Sequence, residues 1–377
     1  MNKVIVAKTS IVTAMGNSLE EMWPGLSSGR SAIKAIHRFK TDMLGYHDGA
    51  CVDGLRINGG ENIICELISR ALNNIKPVPR DTLIIWTGIK GDAPFIESKA
   101  EGREGRPPYL ANHYREWVCN YLGIPNIGIE INAACASSTV GLAIGAQLIS
   151  EGSYSSVLVC AADIVSRFIF TGFSALRGLS ATKCRPFDRD RDGLSLGDGA
   201  AAVLLTNMET AGRMGYTPLA RLSGWGIAND ANHITGPARD GRGLINSIRS
   251  AITQAGLSHE EVDAYCAHGT GTTYNDAMEL TAVEAVFGSR LFPFFSVKGA
   301  IGHTLGAAGA IEAAISIHAL AERWVPPTSG LVNPEERAKG RASDKGQPIS
   351  GNNILTSNSG FGGCNAALIF EGGVKGA

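Results

Sequence analysis

The sequence contains the same series of predicted elements twice. Each series has a helix, a strand, a second strand that leads into a helix of small and apolar residues, and a closing strand. In the first series these segments are 62–72, 82–86, 127–131, 139–149 and 156–159. In the second they are 244–255, 262–266, 294–297, 307–320 and 354–356. Because 377 residues exceed the usual size of one hydrophobic core, we predict an α/β fold of two similar halves, residues 1–207 and 208–377.

A candidate nucleophile follows the strand 127–131. Cys135 lies in the segment Asn132-Ala-Ala-Cys-Ala-Ser-Ser138, where the predicted strand turns into a predicted helix. The free N–H groups and the positive end of the macrodipole at a helix N-terminus favour a thiolate, and the small neighbours leave room for a bulky acyl group. Taken alone, however, the segment favours a small buried thiol, because a cysteine nucleophile needs a base.

Two histidines are the candidate bases. His268 and His303 each follow a predicted strand of the second half and lie in a glycine-rich turn, and a third glycine-rich turn occupies 360–363. Since α/β folds place their chemistry at strand ends, we expect Cys135 and both histidines to meet at the junction of the halves. Zinc bound by these three residues is disfavoured, because no short ligand spacing is present and a structural zinc site needs a fourth ligand.

These motifs, in this order, resemble those of the β-ketoacyl-acyl-carrier-protein synthases of the KAS I/II type, which have a thiolase-like fold. The resemblance covers nearly the whole chain and includes the segments 186–193 and 197–199. It implies two α/β halves in a layered αβαβα arrangement. It also implies an acyltransferase that condenses an enzyme-bound acyl group with malonyl carrier protein, with loss of CO₂, to give β-ketoacyl carrier protein.

The resemblance assigns the chemical roles. Cys135 takes the acyl group, while His268 and His303 donate hydrogen bonds to the malonyl thioester oxygen as negative charge develops there. Lys298 has an electrostatic and structural role. We predict Glu279 as its partner, because a buried lysine needs a carboxylate to remain charged.

The turn 360–363 is similar to the gating loop of this family. The backbone N–H groups of Cys135 and Phe361 are expected to form an oxyanion hole for the acyl carbonyl, and Gly362 and Gly363 to contact the substrate. The alternative for Phe361 is an ordinary core aromatic, since buried phenylalanine is common. The flanking glycines favour a mobile loop.

The resemblance also implies contacts with a carrier protein. Thr270 and Thr272 are expected to hydrogen-bond phosphopantetheine, which arrives on the carrier, so we expect no other cofactor and no metal. Arg177 is expected to dock the acidic acyl carrier protein, with a solvated surface charge as the alternative.

The composition is typical of a cytoplasmic enzyme. The formal net charge is −1, which does not favour nucleic-acid binding. The eight cysteines include no CxxC pair and no secretory signal is evident, which predicts reduced thiols in the cytoplasm. No uncharged apolar stretch is long enough to span a bilayer. The remaining histidines are expected to be surface or satisfied core residues: His37, His47, His113, His233, His259 and His318.

The segment between Trp86 and Cys135 is shorter than in housekeeping fatty-acid synthases of this family, which suggests a specialised ketosynthase for polyenes or another secondary metabolite. Two alternatives stay open: a non-catalytic partner that sets chain length, and a cysteine thioesterase. We expect a homodimer, or a heterodimer with a ketosynthase-like homologue. The resemblance implies that the subunits pair through the strand after the nucleophile helix, 156–159, and the run 156–162 is apolar almost throughout, as a strand buried on both faces should be.

Overall fold

The computed structural model describes residues 2–41, 45–55, 62–102 and 109–374. The α-helices of these residues are α1 Leu19–Ser27, α2 Ile63–Asn73, α3 Ala93–Ala100, α4 Ala111–Leu122, α5 Ser137–Ser150, α6 Arg167–Ala175, α7 Met208–Met214, α8 Arg242–Ala255, α9 Thr273–Phe287, α10 Lys298–Ile301 and α11 Ala308–Glu322. The strands are β1 Val4–Thr13, β2 Lys34–Ala35, β3 Asp48–Ala50, β4 Leu83–Trp86, β5 Gly128–Glu130, β6 Ser156–Asp163, β7 Leu196–Gly197, β8 Gly199–Asn207, β9 Ala220–Asn229, β10 Ala264–Cys266, β11 Phe294–Phe295, β12 Trp324–Val325, β13 Gln347–Pro348, β14 Asn353–Ser359 and β15 Cys364–Glu371.

The main sheet consists of two equivalent blocks of strands. Its ten strands run in the order β11-β10-β14-β15-β9-β1-β8-β6-β4-β5, and the blocks join where β1 pairs with β9. Counted outward from that junction, the first block reads β1, β8, β6, β4, β5 and the second reads β9, β15, β14, β10, β11. Each block therefore uses its strands in the same chain order, which confirms the predicted duplication. The division at residue 207 stays a prediction.

Helices cover both faces of each block and give five layers. Side chains that alternate along a strand point to opposite faces, so each strand contributes to two cores. The central core joins α1, α5 and α11 to the inner faces of both blocks. The outer core of the first block is covered by α2 and α4, and that of the second block by α8 and α9. This is the expected layered αβαβα arrangement.

The predicted dimer edge is wrong. Strand β6 is buried at every position and pairs with β4 on one side and β8 on the other, so 156–159 is an interior segment. The outermost strand of that block is β5, which pairs only with β4 among the described residues. A strand buried on both faces has the same apolar composition in the middle of a sheet as at a subunit interface, so composition cannot separate the two.

Among the residues that the structure describes, one helical segment, Leu305–Glu322, is long and apolar enough to cross a membrane by length and composition. It contains two carboxylates, Glu312 and Glu322, and 83% of it is buried inside the protein. Since α11 lies between the two blocks, it is the central helix of the core.

Candidate active site

The nucleophile turn connects β5 to α5. Cys135 lies on this turn with its side chain only 6% exposed. The preceding residue, Ala134, has φ 48°, a conformation that a residue with a side chain rarely adopts. The Ser137 hydroxyl stabilises the turn, since it donates to Ala134 O at 2.6 Å and accepts from Ala133 N–H at 2.8 Å. Strained turns of this kind occur where a side chain must be held for function.

The Cys135 sulfur is held as a thiol. Burial raises its pKa to about 11, and the charge of Asp163 acts in the same direction. The ammonium groups of Lys298 and Lys90 and the Phe361 N–H, which hydrogen-bonds to the thiol, lower the pKa by less. The raised pKa favours a resting thiol over the thiolate expected from the sequence. The proton must leave when the sulfur reacts.

His268 is held in one tautomer. Its Nδ1 accepts from Asn358 Nδ2 at 2.9 Å and lies 3.3 Å from Lys298 Nζ, and both of these nitrogens are donors. The Asn358 amide is itself oriented, because its Oδ1 accepts from the Thr139 hydroxyl and its Nδ2 donates to Glu312 Oε2 at 2.7 Å. The ring proton of His268 is therefore on Nε2.

His303 is arranged in the same way. Its Nδ1 accepts from the Leu305 N–H at 3.3 Å, which again leaves the proton on Nε2. The rings of His268 and His303 are nearly perpendicular, with centroids 5.3 Å apart. Burial lowers the pKa of each imidazole well below the usual value, and the Lys298 charge lowers it further. Both histidines are therefore neutral N–H donors at neutral pH.

Lys298 pairs with Glu312, and the predicted partner Glu279 is wrong. The Lys298 ammonium forms a buried ion pair with Glu312 and donates to His268 O at 2.5 Å. Glu279 instead accepts from the N–H groups of His268, at 2.6 Å, and Gly269, at 2.8 Å. Its role is to fix the backbone of the histidine turn. In the sequence, Glu312 is a lone carboxylate in the otherwise apolar first turns of α11, 14 residues after Lys298, but this position alone does not distinguish it from Glu279 on α9.

The predicted residues gather around one pocket of about 450 Å³. Lys298 and Glu279 are buried behind its wall, and Arg177 is exposed at its edge. The hydroxyls of Thr270 and Thr272 lie 2.9 Å apart. The predicted site residues that line the pocket are Cys135, His268, His303, Thr270, Thr272, Phe361, Gly362, Gly363 and Arg177. His233, predicted to be unrelated to the site, also lines it.

The loop 360–363 separates this pocket from a second cavity. Phe361 is 40% exposed, so it is not a core aromatic, and its ring lies 5.9 Å from that of Phe173. Phe361, Phe173 and Leu176 line both the nucleophile pocket and a side cavity of about 640 Å³. The side cavity is formed mainly by α3 and α6 and is largely apolar. It can receive an apolar chain attached to Cys135 if the Phe361 ring moves.

A cysteine with two neutral imidazole donors at the junction of two α/β halves defines the class as a thiolase-like acyltransferase. Two family models match the chain, "Beta-ketoacyl synthase, N-terminal domain" over residues 118–211 and "Beta-ketoacyl synthase, C-terminal domain" over residues 219–332. The mitochondrial 3-oxoacyl-[acyl-carrier-protein] synthase of Arabidopsis thaliana is 31% identical over 84% of this chain and 68% of its own length. The chain belongs to the β-ketoacyl synthase family.

Further similarities extend over nearly the full chain. The 3-oxoacyl-[acyl-carrier-protein] synthase 2 of Coxiella burnetii is 27% identical over 98% of both chains. A solved structure described as the ishigamide ketosynthase/chain length factor superposes with a TM-score of 0.90 at 27% identity, covering 98% of this chain and 99% of the other. A ketosynthase in complex with its chain length factor from Xenorhabdus doucetiae gives 0.83 at 25% identity, covering 98% of each.

Proposed function

We propose that this protein catalyses the decarboxylative Claisen condensation of an acyl group on Cys135 with malonyl carrier protein. The observation that carries the proposal is the single pocket in which the buried Cys135 thiol meets two imidazoles, His268 and His303, that both present Nε2–H. This arrangement supplies a nucleophile and a pair of neutral donors for an oxyanion.

In the acyl-transfer step, Cys135 Sγ attacks the thioester carbonyl of the acyl carrier. The Sγ–carbon bond forms, the bond to the carrier sulfur breaks, and the Cys135 proton passes to the departing carrier thiol. We propose that the N–H of Phe361 and that of Cys135 itself stabilise the tetrahedral oxyanion. Thr270 and Thr272, on the pocket wall, are suited to hydrogen-bond the phosphopantetheine arm.

In the condensation step, the Nε2–H groups of His268 and His303 donate to the malonyl thioester oxygen. The carbon–carbon bond to the malonyl carboxylate breaks and CO₂ leaves. The electron pair of that bond stays on the remaining carbon and forms the enolate. The enolate carbon attacks the acyl carbonyl, the bond to the Cys135 sulfur breaks, and the released thiolate takes one proton from solvent. The imidazoles act as neutral donors because burial and the Lys298 charge keep their pKa values low.

Intact mass measurement tests the proposal. Incubation with acyl carrier protein should add one acyl group, and Cys135→Ala should abolish the addition. His303→Ala should still be acylated but should lose condensation by roughly a hundredfold, the usual cost of an oxyanion donor. Free acid released without malonyl carrier would indicate a thioesterase. A wild-type enzyme that is never acylated would indicate a non-catalytic partner.

That second function, a partner that sets chain length, is favoured by one observation. A structure similar to this chain is described as a ketosynthase/chain length factor. The complete set of Cys135, His268 and His303 supports the catalytic member of such a pair. The acyl groups that the enzyme accepts will show which chain length it prefers. They will also show whether it makes a polyene or another secondary product.

We further propose that the acyl carrier protein docks at the pocket mouth through Arg177, which is exposed there. Arg177→Glu should raise KM for carrier-bound substrate severalfold and spare a small pantetheine thioester, because only the acidic carrier senses the reversed charge. Arg213→Glu, an exposed arginine on α7, is the matched control. Equal effects of Arg177→Glu on both substrates would contradict docking.

The protein is also proposed to act in the cytoplasm as a dimer with itself or a ketosynthase-like homologue. All eight cysteines are free thiols, which suits a reducing compartment. The β5 edge supports pairing with a second subunit, because two apolar residues are exposed there. Ile127, just before β5, is 44% exposed, and Ile129, within it, is 38% exposed. Exposed apolar edges of this kind are usually covered by a partner.

A further inference from the structure

The side cavity next to the nucleophile pocket is apolar except for a few charged side chains. Its apolar wall is provided by α3, α6 and the loop 360–363, with Ile96, Phe168 and Ile169 among its residues. A smaller cavity of about 380 Å³ lies on the other side of the β4–α3 connection. Lys90 and Ile96 line both cavities.

The carboxylates of these two cavities already have partners. In the side cavity, Glu101 lies 3.7 Å from Arg167, and Glu97 accepts from the Phe168 N–H at 2.6 Å. In the smaller cavity, Glu130 pairs with Arg115 at 2.5 Å, and Asp92 accepts from the Tyr109 N–H at 2.9 Å. These are the acidic residues that line the two cavities within the described part of the chain: Glu97, Glu101, Glu130 and Asp92.

Lys90 is an exposed cation whose charge acts on the buried carboxylate of Asp163 without forming an ion pair with it. Its backbone N–H donates to Asp163, which fixes where the side chain begins. Across residues 2–41, 45–55, 62–102 and 109–374, its ammonium makes no hydrogen bond or ion pair. The ammonium nevertheless lies near the nucleophile. Burial raises the pKa of Cys135 and lowers that of His303, and the Lys298 charge lowers both. Lys90 adds a smaller lowering to each of the two pKa values.

Resting on the function proposed above, we propose that Lys90 selects acyl chains that carry an oxygen acceptor, and a carboxylate most strongly. An acyl chain on Cys135 that passes Phe361 into the side cavity meets an apolar wall and the Lys90 ammonium, while Arg167, the other cation of the lining, lies 3.7 Å from Glu101. A saturated alkyl chain gains only the apolar contacts, whereas a chain with a distal carboxylate or carbonyl also bonds to Lys90. Lys90 is thus a specificity-determining residue for the distal part of the chain.

The test compares matched pantetheine thioesters of the same length: octanoyl, suberyl, which ends in a carboxylate, and the methyl ester of suberyl. In each transfer the pantetheine thioester bond breaks, the bond to Cys135 Sγ forms, and one proton passes to the released thiol. Rates are followed by intact mass. The wild type should favour suberyl over octanoyl by a factor of about three to ten, with the methyl ester between them.

Lys90→Met should remove that preference, Lys90→Arg should restore it, and Lys99→Met, an exposed lysine of α3 outside both cavities, should keep it. The ratio between substrates is the readout, because an electrostatic effect of Lys90 on the Cys135 thiol changes all rates alike and cancels. Equal rates for the three thioesters in the wild type, or an unchanged ratio in Lys90→Met, would overturn the inference. No adduct on Cys135 from any donor would instead refute the proposed function.

Discussion

Lys298 carries a charge inside the protein, with the residue only 1% exposed. Taking an ammonium out of water costs several kcal/mol, and the ion pair with Glu312 offsets this cost. The charge is useful there because it lowers the pKa of both His268 and His303. Lys298 therefore keeps the imidazoles neutral and also contacts His268 directly.

Removing the partner of this lysine should be costly. Glu312→Gln should lower the free energy of unfolding by about 3 kcal/mol or more, because it leaves a buried ammonium without a countercharge. Urea denaturation measures the loss. Glu322→Gln, at the exposed end of the same helix, is the control and should change stability by less than about 0.5 kcal/mol. A Glu312→Gln protein as stable as the wild type would show that Lys298 does not depend on this pair.

The raised pKa of Cys135, about 11, predicts the pH dependence of its alkylation. Because only the thiolate reacts, the iodoacetamide rate should rise about tenfold per pH unit through neutrality, with no plateau below about pH 10. Lys298→Met should slow the reaction at every pH in this range, since the ammonium lowers the thiol pKa. Mass mapping of the Cys135 peptide isolates this signal. A plateau near neutral pH would mean that the resting group is already a thiolate.

The sequence was sufficient to predict that Cys135, His268 and His303 lie together at one pocket, because each follows a strand at a turn of small residues where backbone space is needed. It could not separate Glu279 from Glu312 as the lysine partner. Both lie on helices that follow the histidine turns, and only the packing decides which carboxylate reaches the ammonium. Asn358, which fixes the His268 tautomer, lies in a polar run without a distinguishing signal.

The loop 360–363 is held at both ends by backbone contacts. A side chain at Gly360 would come within 2.5 Å of Ala133 O on the nucleophile turn, so the loop rests directly on that turn. Gly362 N–H donates to Ile234 O at 2.7 Å, and Gly363 O accepts from Asp230 N–H at 2.8 Å. The position of Phe361 is therefore coupled to the nucleophile turn on one side and to the loop after β9 on the other.

Gly363→Ala should disturb this loop. Gly363 has φ 81°, and an added Cβ would lie 3.0 Å from the Asp230 Cβ. The strain of about 1–2 kcal/mol is relieved by displacing the loop and its Phe361 N–H, so Cys135 acylation should slow by roughly tenfold. Gly212→Ala in α7 meets no atom within 4 Å and is the control. An unchanged acylation rate in Gly363→Ala would show that the loop geometry is not needed for acyl transfer.

Most predicted elements lie within a few residues of the observed ones, because their apolar patterns and glycine turns agree with the fold. The predicted helix 139–149 is observed as Ser137–Ser150, and the predicted strand 127–131 as Gly128–Glu130. Strand β8 was missed. Its sequence, Gly-Ala-Ala-Ala-Val-Leu-Leu-Thr-Asn, begins with small residues that have low strand propensity, and pairing with β1 and β6 overrides that preference.

At the scale of the whole molecule, the free edge of the sheet determines where a second subunit can add. Strand β5 is hydrogen-bonded to β4 at its two ends, through Ile127 O and Ile131 N–H. The backbone N–H and C=O groups that point away from β4 therefore belong to Gly128 and Glu130. The sequence predicted a dimer, and that stays a prediction, but it placed the pairing edge at 156–159, because the order of strands in a sheet is set by crossover connections and not by composition.

Ile129→Lys should convert the proposed dimer to a monomer at micromolar concentration. A charge on the half-exposed side chain beside the edge opposes strand addition, as lysine does on natural edges. Light scattering gives the mass. Leu219→Lys introduces the same charge at a residue that is 44% exposed and lies before β9, and this control should remain dimeric. If the Ile129→Lys variant stays a dimer, the subunits pair through another surface.

The mirrored strand order also makes specific positions in the two blocks correspond. The turn after β5 holds Cys135, and the equivalent turn after β11 in the other block leads to His303. The turn after β10 holds His268, and the equivalent turn after β4 holds Thr87. The two blocks thus offer two copies of each strand end, filled with different chemistry. Neither half, expressed separately, contains a complete catalytic set, so the activity belongs to the fused pair.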